Sequence, residues 1–466
     1  MNFRSPTKRL AALCAALFVI ATGARADVDY SGASVRPSPD WLRRATIYQI
    51  FPRHFSAAGN LAAVTARLDD LQKLGVTVLW TMPIHPIGEK FRKGEYGSPY
   101  AIKDYYAVDP HYGTLADFKA LVAGAHQRGM KVIMDLVANH TAWDSVMMTN
   151  KNFYKQDGKG NVVPPVPSWT DVAGLNYANP DLRRYMIAML KFWIKECDVD
   201  GFRCDVAGMV PTDFWEQVRD ELTKVKPDIM MLSEEAKKPE YFTKAFDIDY
   251  AWPLLWTMNQ VLVHGAPAAK IRESWEDTRR QFPKGALHMR ISDDHDEDRA
   301  IARYGLNGAL AASALMFTLD GVPLIYNGME YGDATASTDP ALFEKYNIQW
   351  NDLKDRPPLR AIYHDLIQLR KQYAAFRTSD VNWLHNTDEK KLVSFIRADD
   401  KDEFLVVINY SNQPLTAKVE LENTGGFSPL KISGFDDDDD GPLPSVYLEG
   451  FHWRIYHRTA TAVAKK

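Results

Sequence analysis

A closed (β/α)8 barrel followed by a small antiparallel β-domain is the fold that this sequence predicts. Short β-like runs alternate with amphipathic helical stretches, and eight such runs fit within roughly 300 residues, the range of a barrel with insertions. Near residue 376 helical spacing gives way to short alternating runs separated by turn residues. The 466 residues, 46% of them hydrophobic, suffice for a large core in more than one domain.

The first 26 residues predict a cleavable export signal. Arg4, Lys8 and Arg9 precede the apolar run LAALCAALFVIATG, and an Ala-Arg-Ala cleavage site follows at residues 24 to 26. That run is too short for an ordinary membrane span, and no later run of about 18 apolar residues follows it. We therefore expect a periplasmic or secreted chain that has no membrane partner once the signal is removed.

The charge balance argues against nucleic acid as a partner. The chain has a formal net charge of −4, and the predicted signal carries four of its basic side chains and no acidic one. The mature chain is therefore expected to be more acidic still. Nucleic acids and anionic membranes attract surfaces of the opposite sign.

Eight runs are the strand candidates of the barrel, and the sixth of them is the weakest. They are ATIYQIFPRHF (45 to 55), GVTVLWTMPI (75 to 84), KVIMDLVANH (131 to 140), VDGFRCDV (199 to 206), IMMLSEEA (229 to 236), AFDID (245 to 249), ALHMRIS (286 to 292) and GVPLIYNG (321 to 328).

Helical stretches lie between these runs. TLADFKALVAGAHQRG has Thr114 as its N-cap and Gly129 at its end. NPDLRRYMIAMLKFWI places four apolar side chains on one face at helical spacing. The last barrel helix is predicted in RPPLRAIYHDLIQLRKQYAAF, so that the barrel domain spans residues 27 to 376. The stretch 141 to 198 is too long for an ordinary connection and predicts a functional excursion over the barrel mouth.

The C-terminal region, residues 377 to 466, predicts a β-sandwich domain. LVSFIRA, EFLVVINYS, LTAKVELE and FHWRIYH are short alternating or apolar runs. The acidic run DDDDD at 436 to 440 is interpreted as a solvated turn rather than a calcium site. Cys197 would end a helix and Cys204 lies in mid-strand, so two buried unpaired thiols are expected.

The stretch GFRCDVAGMV, residues 201 to 210, puts two charges into a predicted buried strand. Because strand side chains alternate, Arg203 and Asp205 share one face and Cys204 takes the other. In a barrel, the charged face lines the upper interior, near the mouth where barrel enzymes have their active sites. We expect the guanidinium of Arg203 to hold Asp205 ionised, as an attacking carboxylate must be. A buried structural ion pair is the alternative interpretation.

Three other strand ends carry further acids and histidines. They are Asp135, Asn139 and His140 after the third strand, Glu234 and Glu235 after the fifth, and His295 and Asp296 after the seventh. Carboxylates from separate strands suit glycosidic cleavage, which uses one carboxylate as nucleophile and one protonated carboxyl as acid. Neither a phosphate loop nor a nucleophile elbow nor a dinucleotide fingerprint is present.

These motifs resemble those of the α-amylase family of glycoside hydrolases. DLVANH, GFRCD, the SEE of MLSEEA, and DHD stand in order at the third, fourth, fifth and seventh strands, where that family has its four signature regions. IYQIFPRHF, GSPYAIKDYYAVDP and GVPLIYNGMEYG are supporting matches. The resemblance covers residues 45 to 376 and, more loosely, the C-terminal domain.

The resemblance implies a role for each residue of the constellation. It makes Asp205 the nucleophile, Glu234 the general acid/base, and Asp296 the residue that binds sugar hydroxyls and favours the charged transition state. His140 and His295 would hydrogen-bond the sugar, Tyr100 would stack on its ring, and Arg203 would orient Asp205. Asp135 is expected to brace the site from below. Glu235 is a rival for the acid, but alternation turns it away from the face of Glu234.

The implied activity is retaining hydrolysis of α-1,4 bonds in starch-derived glucans or maltodextrins, without a cofactor. A transglycosylase or an α-1,6-active glucosidase on the same fold is the alternative within the family. A non-catalytic carbohydrate-binding relative is disfavoured because all three catalytic carboxyls are present. A metal-dependent barrel hydrolase is disfavoured because the histidines come singly from distant strands.

Two departures from the family pattern concern substrate and calcium. Typical α-amylases have a Lys-His pair at the third and fourth positions after the nucleophile, where this chain has Gly208 and Met209. DVAGMV is closer to the neopullulanase and cyclomaltodextrinase pattern. Asn139 matches one ligand of the family's structural calcium, but Gly174 replaces the usual Asp. Since calcium affinity depends on ligand charge, this site is expected to be weak or absent.

Overall fold

The computed structural model describes residue 30 and residues 32–338, 341–350, 358–435 and 442–460. The predicted export signal and the acidic run at 436–440 lie outside the described residues. Within the described part of the chain, no helix is both long enough and apolar enough to cross a membrane.

Eight parallel strands form a closed barrel, which confirms the predicted fold. They are β1 (Ile47–Ile50), β2 (Val78–Thr81), β3 (Lys131–Val137), β4 (Gly201–Asp205), β5 (Met230–Ser233), β6 (Ile248–Tyr250), β7 (Leu287–Arg290) and β8 (Val322–Tyr326). Each strand pairs with the next along the chain, and Tyr48 of β1 pairs with Ile325 of β8 to close the ring. Both faces of the strands are covered, which is why their sequences are apolar runs rather than strict alternations.

Most strands end before the predicted run does. The run 131 to 140 is a strand only as far as Val137, and the run 45 to 55 turns after Ile50 into the short helix Pro52–Phe55. β6 extends one residue beyond its predicted run. Sequence alternation does not distinguish the last residue of a strand from the first residue of the next loop. The polar residues that follow each run therefore lie in the loops of the barrel mouth.

The helices surround the barrel and begin at recognisable caps. Thr114 Oγ1 accepts from Asp117 N while Asp117 accepts from Thr114 N, a capping box that starts the helix Leu115–Gln127. The α-helices are Pro52–Phe55, Leu61–Thr65, Leu68–Leu74, Leu115–Gln127, Pro180–Cys197, Thr212–Thr223, Tyr241–Lys244, Trp252–Leu262, Ala269–Gln281, Ala300–Thr318 and Leu359–Gln372. Short 3-10 turns are Leu42–Arg44, Val146–Thr149, Lys151–Phe153, Ala207–Met209, Met329–Tyr331 and Ala374–Arg377.

The excursion after β3 is shorter than the interval predicted for it. Its only two strands among the described residues, His140–Ala142 and Val172–Gly174, form an antiparallel pair over the mouth. Asn179 then caps the helix Pro180–Cys197, whose apolar side chains pack in the main core like those of the other barrel helices. The last part of the predicted 141 to 198 interval is therefore barrel helix rather than excursion.

The C-terminal region consists of antiparallel strands, as predicted. Asn382–Trp383, Leu392–Ala398, Asp402–Asn409, Trp453–Thr459 and Ser428–Pro429 form a five-stranded sheet in that order, and Leu415–Lys418 pairs with Ser445–Leu448. Phe404 packs against Tyr373 and Phe376 at the end of the barrel, with ring centroids 4.7 and 4.6 Å apart. This sheet therefore rests on the barrel through an aromatic contact.

Candidate active site

β4 contributes the two charges that the sequence places in a buried strand. Arg203 and Asp205 lie on the face that lines the barrel interior, while Cys204 faces the surrounding helices. All three side chains are buried. Cys197 and Cys204 are buried free thiols.

Arg203 is the centre of the site and is fully buried. Its Nη1 donates to Asp135 Oδ1 and to Asp205 Oδ1, each at 2.9 Å, and its Nε donates to the Tyr250 hydroxyl at 3.1 Å. Its Nη2 lies 2.6 Å from Glu234 Oε1, an ion-pair distance whose angles fall outside hydrogen-bond geometry. One guanidinium therefore holds three carboxyl groups that come from three neighbouring strands.

Burial governs the ionisation of the two carboxyls at the mouth. It raises the pKa of Asp205 to about 7, because loss of water outweighs the opposing attraction of Arg203. Arg203 lowers the pKa of Asp205, as expected, but burial opposes this effect and is the larger influence. Burial also raises the pKa of Glu234 well above its usual range, and the charges of Asp205 and Asp296 add to the rise.

The structure separates the two neighbouring glutamates. Glu234 Oε2 accepts from Val206 N at 2.7 Å, beside Asp205. Glu235 Oε1 instead accepts from two backbone N–H groups of its own loop at 2.8 and 3.0 Å. Among the described residues, Arg203 contacts the carboxyl of Glu234 and not that of Glu235. This is the orientation that strand alternation predicts.

The loop after β4 is strained and tightly packed. Val206 has a φ of 36°, in the left-handed region that a β-branched residue rarely adopts, directly after Asp205. A Cβ built on Gly208 would lie 1.9 Å from Glu235 Oε2, so a side chain has no room there without a shift of Glu235. Lys238 Nζ donates to Gly208 O at 3.0 Å. The family's usual lysine is thus absent, and a lysine from the next loop reaches the same backbone segment.

Tyr100 links the carboxyl cluster to the loop after β7. Its hydroxyl donates to Asp135 Oδ2 at 3.2 Å and lies 2.5 Å from His295 Nε2, and its ring stacks on the His295 ring at 5.5 Å. Trp80 Nε1 donates to Asp135 Oδ2 at 3.2 Å. These contacts agree with a bracing position for Asp135. The predicted stacking of Tyr100 on a sugar stays a prediction.

The two histidines are buried and neutral near pH 7. Burial lowers the pKa of His140 and of His295 to about 4. Asp296, whose side chain is 38% exposed, lies 3.3 Å from His295 Nε2. Neutral imidazoles both donate and accept hydrogen bonds, which suits sugar hydroxyls.

Two polar residues of the site, Gln49 and Tyr250, were not predicted from the sequence. Gln49 Nε2 lies 2.7 Å from His295 Nδ1, and the Tyr250 hydroxyl accepts from Arg203. Gln49 is a polar residue within the buried strand β1. A polar side chain in a buried strand is a weak indication of a role inside the barrel. Tyr250 stands one residue past the end of its predicted strand run. Only closure of the barrel brings either side chain to the others.

The residues at the family's calcium position do not fit a calcium ion. A Cβ on Gly174 would lie 3.2 Å from Lys155 Cδ and 3.2 Å from Pro165 Cα, so a lysine stem and a proline occupy the direction of the missing carboxylate. The carboxylate that would supply ligand charge is therefore missing, and calcium affinity depends on that charge. The weakness of this site stays a prediction.

One group of metal-ligating side chains occurs among the described residues, and it belongs to the site itself. Asp294, His295 and Asp296 place ligand atoms within 4.8 Å of one another. Both ring nitrogens of His295 already have partners, Gln49 and Tyr100. The group therefore offers a metal two carboxylates and no free imidazole nitrogen.

Comparison with known proteins identifies the relatives of this chain. Residues 49–164 and 167–403 match the model of the alpha amylase catalytic domain. The chain is 28% identical over 418 residues to the alpha-amylase MalA of Haloarcula japonica, covering 85% of this chain and 60% of that protein. It is 27% identical over 419 residues to a cyclomaltodextrinase of a Bacillus species, covering 80% of this chain and 73% of the relative.

Solved structures give the same result. A maltogenic alpha-amylase, AmyB from Thermotoga neapolitana, superposes with a TM-score of 0.80 at 29% identity, covering 90% of this chain and all of the other. An alpha-amylase from Lactobacillus plantarum superposes with a TM-score of 0.78 at 30% identity, covering 90% and 99% of the two chains. The closed barrel and the antiparallel C-terminal domain are thus shared with amylase structures.

Proposed function

The chain belongs to the α-amylase family of glycoside hydrolases, and we propose that it hydrolyses α-1,4-glucosidic bonds of starch-derived glucans or maltodextrins with retention of the α-anomer. The names cyclomaltodextrinase and maltogenic alpha-amylase, which relatives of this chain carry, define the class of substrates to test. No cofactor enters this proposal.

The observation that carries the proposal is that the guanidinium of Arg203 contacts the carboxyls of both Asp205 and Glu234. Nη1 of Arg203 hydrogen-bonds Asp205, and Nη2 lies 2.6 Å from Glu234. Carboxyls held by adjacent nitrogens of one fork are close together. Retaining enzymes separate these groups by only about 5 Å, whereas inverting enzymes leave room for a water between them.

Asp205 and Glu234 take different roles because their surroundings favour different protonation states. Asp205 accepts a charge-assisted bond from Arg203, which favours its ionised form, whereas the Arg203–Glu234 contact lacks hydrogen-bond geometry. Burial and the charges of Asp205 and Asp296 raise the pKa of Glu234 well above its usual range, which suits the protonated acid of the pair.

The reaction proceeds by two displacements. Asp205 attacks the anomeric carbon while Glu234 gives its proton to the glycosidic oxygen, and the bond to the leaving sugar breaks. Glu234, now ionised, removes a proton from water, and that water attacks the anomeric carbon and releases Asp205.

The remaining residues hold the sugar in the cleavage subsite. Asp296 binds sugar hydroxyls and favours the positively charged transition state. His140 and His295 hydrogen-bond the same sugar as neutral imidazoles, His295 by exchanging its contact with the Tyr100 hydroxyl for a sugar hydroxyl, and Tyr100 stacks on the sugar ring. The burial of Tyr100, His140 and His295 supports their roles, because preorganised polar groups cost little reorganisation during the reaction.

Product analysis tests the proposal. The protein is incubated with maltoheptaose, cyclodextrin, pullulan and isomaltose, and proton NMR follows the first product. We expect release of α-anomers from the α-1,4-linked substrates. An initial β-anomer contradicts the mechanism, and cleavage of isomaltose in preference to maltoheptaose shifts the assignment to an α-1,6-active glucosidase. Products longer than the substrate indicate transglycosylation.

Export from the cytoplasm is a separate part of the proposal. Its support is the charged, apolar and small-residue order of residues 1 to 26. N-terminal sequencing of the protein recovered from a secreting host is expected to begin at Asp27. Recovery of an uncleaved chain in the cytoplasm contradicts it.

A further inference from the structure

A cavity of about 230 Å³ lies outside the barrel wall, between β7 and the helix Ala269–Gln281. The loop 282 to 286 and Ser379 complete its border. Because that loop leads into the N-terminal end of β7, the cavity lies away from the catalytic mouth, which is at the C-terminal ends of the strands. Its volume is below the roughly 300–1,000 Å³ of pockets for drug-sized ligands, so it suits a small ion or molecule.

Arg290, the last residue of β7, supplies an unused hydrogen-bond donor to this cavity. It lines the cavity and is 2% exposed. Its Nε donates to Asp320 O at 2.9 Å and its Nη2 to Asp320 Oδ1 at 2.6 Å. Its Nη1 has no hydrogen-bond partner among the described residues. Buried polar groups in folded proteins nearly always have a partner, so these N–H groups are available to a ligand in the cavity.

The same cavity contains an unused acceptor. Asp320 Oδ1 accepts from Arg290 and from Trp275 Nε1, but Oδ2 has no partner among the residues that the structure describes. These partners hold the pKa of Asp320 below its usual value, so the carboxylate is ionised at neutral pH. His288 contacts Asp249 through Nδ1 and has a second ring nitrogen without a partner in the described part of the chain. Asp320 and His288 both line the cavity and are each 6% exposed.

Positive charge exceeds negative charge around the cavity. Arg279, Lys284 and Arg290 line it, with Asp320 as the acid among the lining side chains. Arg290 is paired with Asp320, whereas Arg279 meets only the exposed Asp380, at 3.8 Å. Lys284 forms no ion pair with any described residue. This excess attracts an anion and disfavours a cation.

We propose that this cavity binds hydrogen phosphate, which accepts from Arg290 Nη1 and Lys284 and donates its O–H to Asp320 Oδ2. Hydrogen phosphate combines negative oxygens with at least one O–H group, so it matches both the basic groups and the carboxylate. Sulfate has no O–H near neutral pH, so the Asp320 carboxylate would repel it. The inference is independent of the proposed hydrolysis, because binding is measured without a glucan.

Titration calorimetry of the full chain at pH 8 tests the proposal, with phosphate, sulfate and methyl phosphate at equal ionic strength. We expect one phosphate per chain and at least roughly tenfold weaker binding of sulfate. Methyl phosphate separates free phosphate from the phosphate group of a larger molecule. This ester has lost its second proton at pH 8, so it lacks the O–H and should bind as weakly as sulfate. Phosphate at 100 times its Kd should raise the melting midpoint by about 2–3 °C.

Five variants locate the ion. Lys284→Gln and Arg279→Gln should each weaken phosphate binding by roughly three- to tenfold, and Arg290→Lys, which keeps the charge but loses Nη1, by more. Lys284 is exposed, so its variant tests the site even where Arg290→Lys does not fold. Asp320→Asn, measured at low temperature, should bring the affinities for sulfate and phosphate together. Lys159→Gln is the matched control, because it removes an exposed lysine of the excursion and should change nothing.

Several results overturn the inference. One is the absence of a saturable signal up to about 20 mM phosphate. Another is sulfate or methyl phosphate binding as tightly as phosphate, because neither can donate to Asp320. Phosphate binding that is displaced by maltoheptaose, or that the four cavity variants leave unchanged, places the ion elsewhere and overturns the assignment of this cavity.

Discussion

Two buried ionic clusters in this barrel differ in which charge is in excess. At the mouth, the single guanidinium of Arg203 is surrounded by Asp135, Asp205 and Glu234. Burial raises the pKa of each of these carboxyls, to about 6 for Asp135 and to about 7 for Asp205. Because this cluster has more buried carboxyls than cations, some of its carboxyls stay protonated and can transfer a proton.

The second cluster lies before β8, where the barrel meets the C-terminal domain. Asp320 accepts from Arg290 at 2.6 Å and from Trp275 Nε1 at 2.8 Å, and these partners hold its pKa below the usual value despite burial. The nearby Arg370 and Arg397 donate to backbone carbonyls, four and three in number. Burial lowers their pKa to about 9 and about 10, so both stay charged at neutral pH.

The comparison of the two clusters shows that burial can serve either catalysis or stability. Where acids exceed bases, desolvation pushes carboxyl pKa values towards neutrality, and the cluster can act as acid and nucleophile. Where bases exceed acids and the terminal guanidinium nitrogens of Arg370 and Arg397 donate to backbone carbonyls, both arginines keep their charge at neutral pH. Substitutions at the mouth should therefore change activity, and substitutions at the junction should change stability.

The largest effect is expected for Asp205→Asn. Removal of the nucleophile should lower kcat on maltoheptaose by about 10⁴-fold or more. The stability of the fold should not decrease. The pKa of Asp205 is raised, so the folded state binds its proton more tightly than the unfolded chain does. Ionised Asp205 therefore destabilises the fold, and stability falls as pH rises from about 3.8 to about 7. Thermal unfolding at pH 8 should therefore show a midpoint no lower than that of the wild type. A lower midpoint would contradict this account of Asp205.

The next effect separates the neighbouring glutamates. Glu234→Gln should lower kcat by about 10²- to 10⁴-fold, whereas Glu235→Gln, its matched control, should keep most of the activity. The reason is that Arg203 and Val206 contact Glu234, while Glu235 bonds its own loop. Steady-state kinetics on maltoheptaose decide it. Equal losses in both variants would mean that the acid is wrongly assigned.

At the junction cluster the expected loss is in stability. Asp320→Asn leaves buried arginines without their carboxylate and should lower the free energy of unfolding by about 3–5 kcal/mol at neutral pH. Activity per folded molecule should be unchanged. Because the pKa of Asp320 is lowered, its contribution is present above the unfolded value and is lost as pH falls through the folded value, so the two melting midpoints should converge in acid. A drop in kcat without a drop in midpoint would reverse the contrast between the clusters.

A smaller effect concerns the acidic limb of the pH profile. Asp205 must be ionised, so kcat/KM should fall as pH drops through about 7. Asp135→Asn removes a negative charge that raises the pKa of Asp205, so the limb should move to lower pH. pH–rate profiles of the two proteins measure the shift. A limb that stays in place would show that Asp135 does not act on Asp205 through charge.

The smallest effect is expected from calcium. Exhaustive chelation followed by added calcium should leave the melting midpoint within about 1 °C, because a metal that binds only the folded state must raise the midpoint. The physical reason is that Gly174 lacks the carboxylate, and that a lysine stem and a proline occupy the direction in which it would point. A large calcium-dependent rise, with one calcium bound per chain at Asn139, would refute this expectation.

The order of the barrel strands and the faces of their side chains follow from local patterns in the sequence. Alternation with period two is local, so the pairing of Arg203 with Asp205, the exclusion of Cys204 and the separation of Glu234 from Glu235 follow from a few consecutive residues. The ordered motifs at successive strand ends supplied the family and the chemistry. These features need no knowledge of which strands meet.

The contacts between distant segments and the charge state of the acids depend instead on how the folded chain packs. Gln49 meets His295 and Tyr250 meets Arg203 because the ring closes, and no periodicity in the sequence records that closure. The pKa of Asp205 is set by how much water the closed mouth excludes, and this exclusion outweighed the guanidinium that sequence reasoning had relied on. Desolvation is a property of the packed surroundings as a whole, so it cannot be inferred from neighbours along the chain.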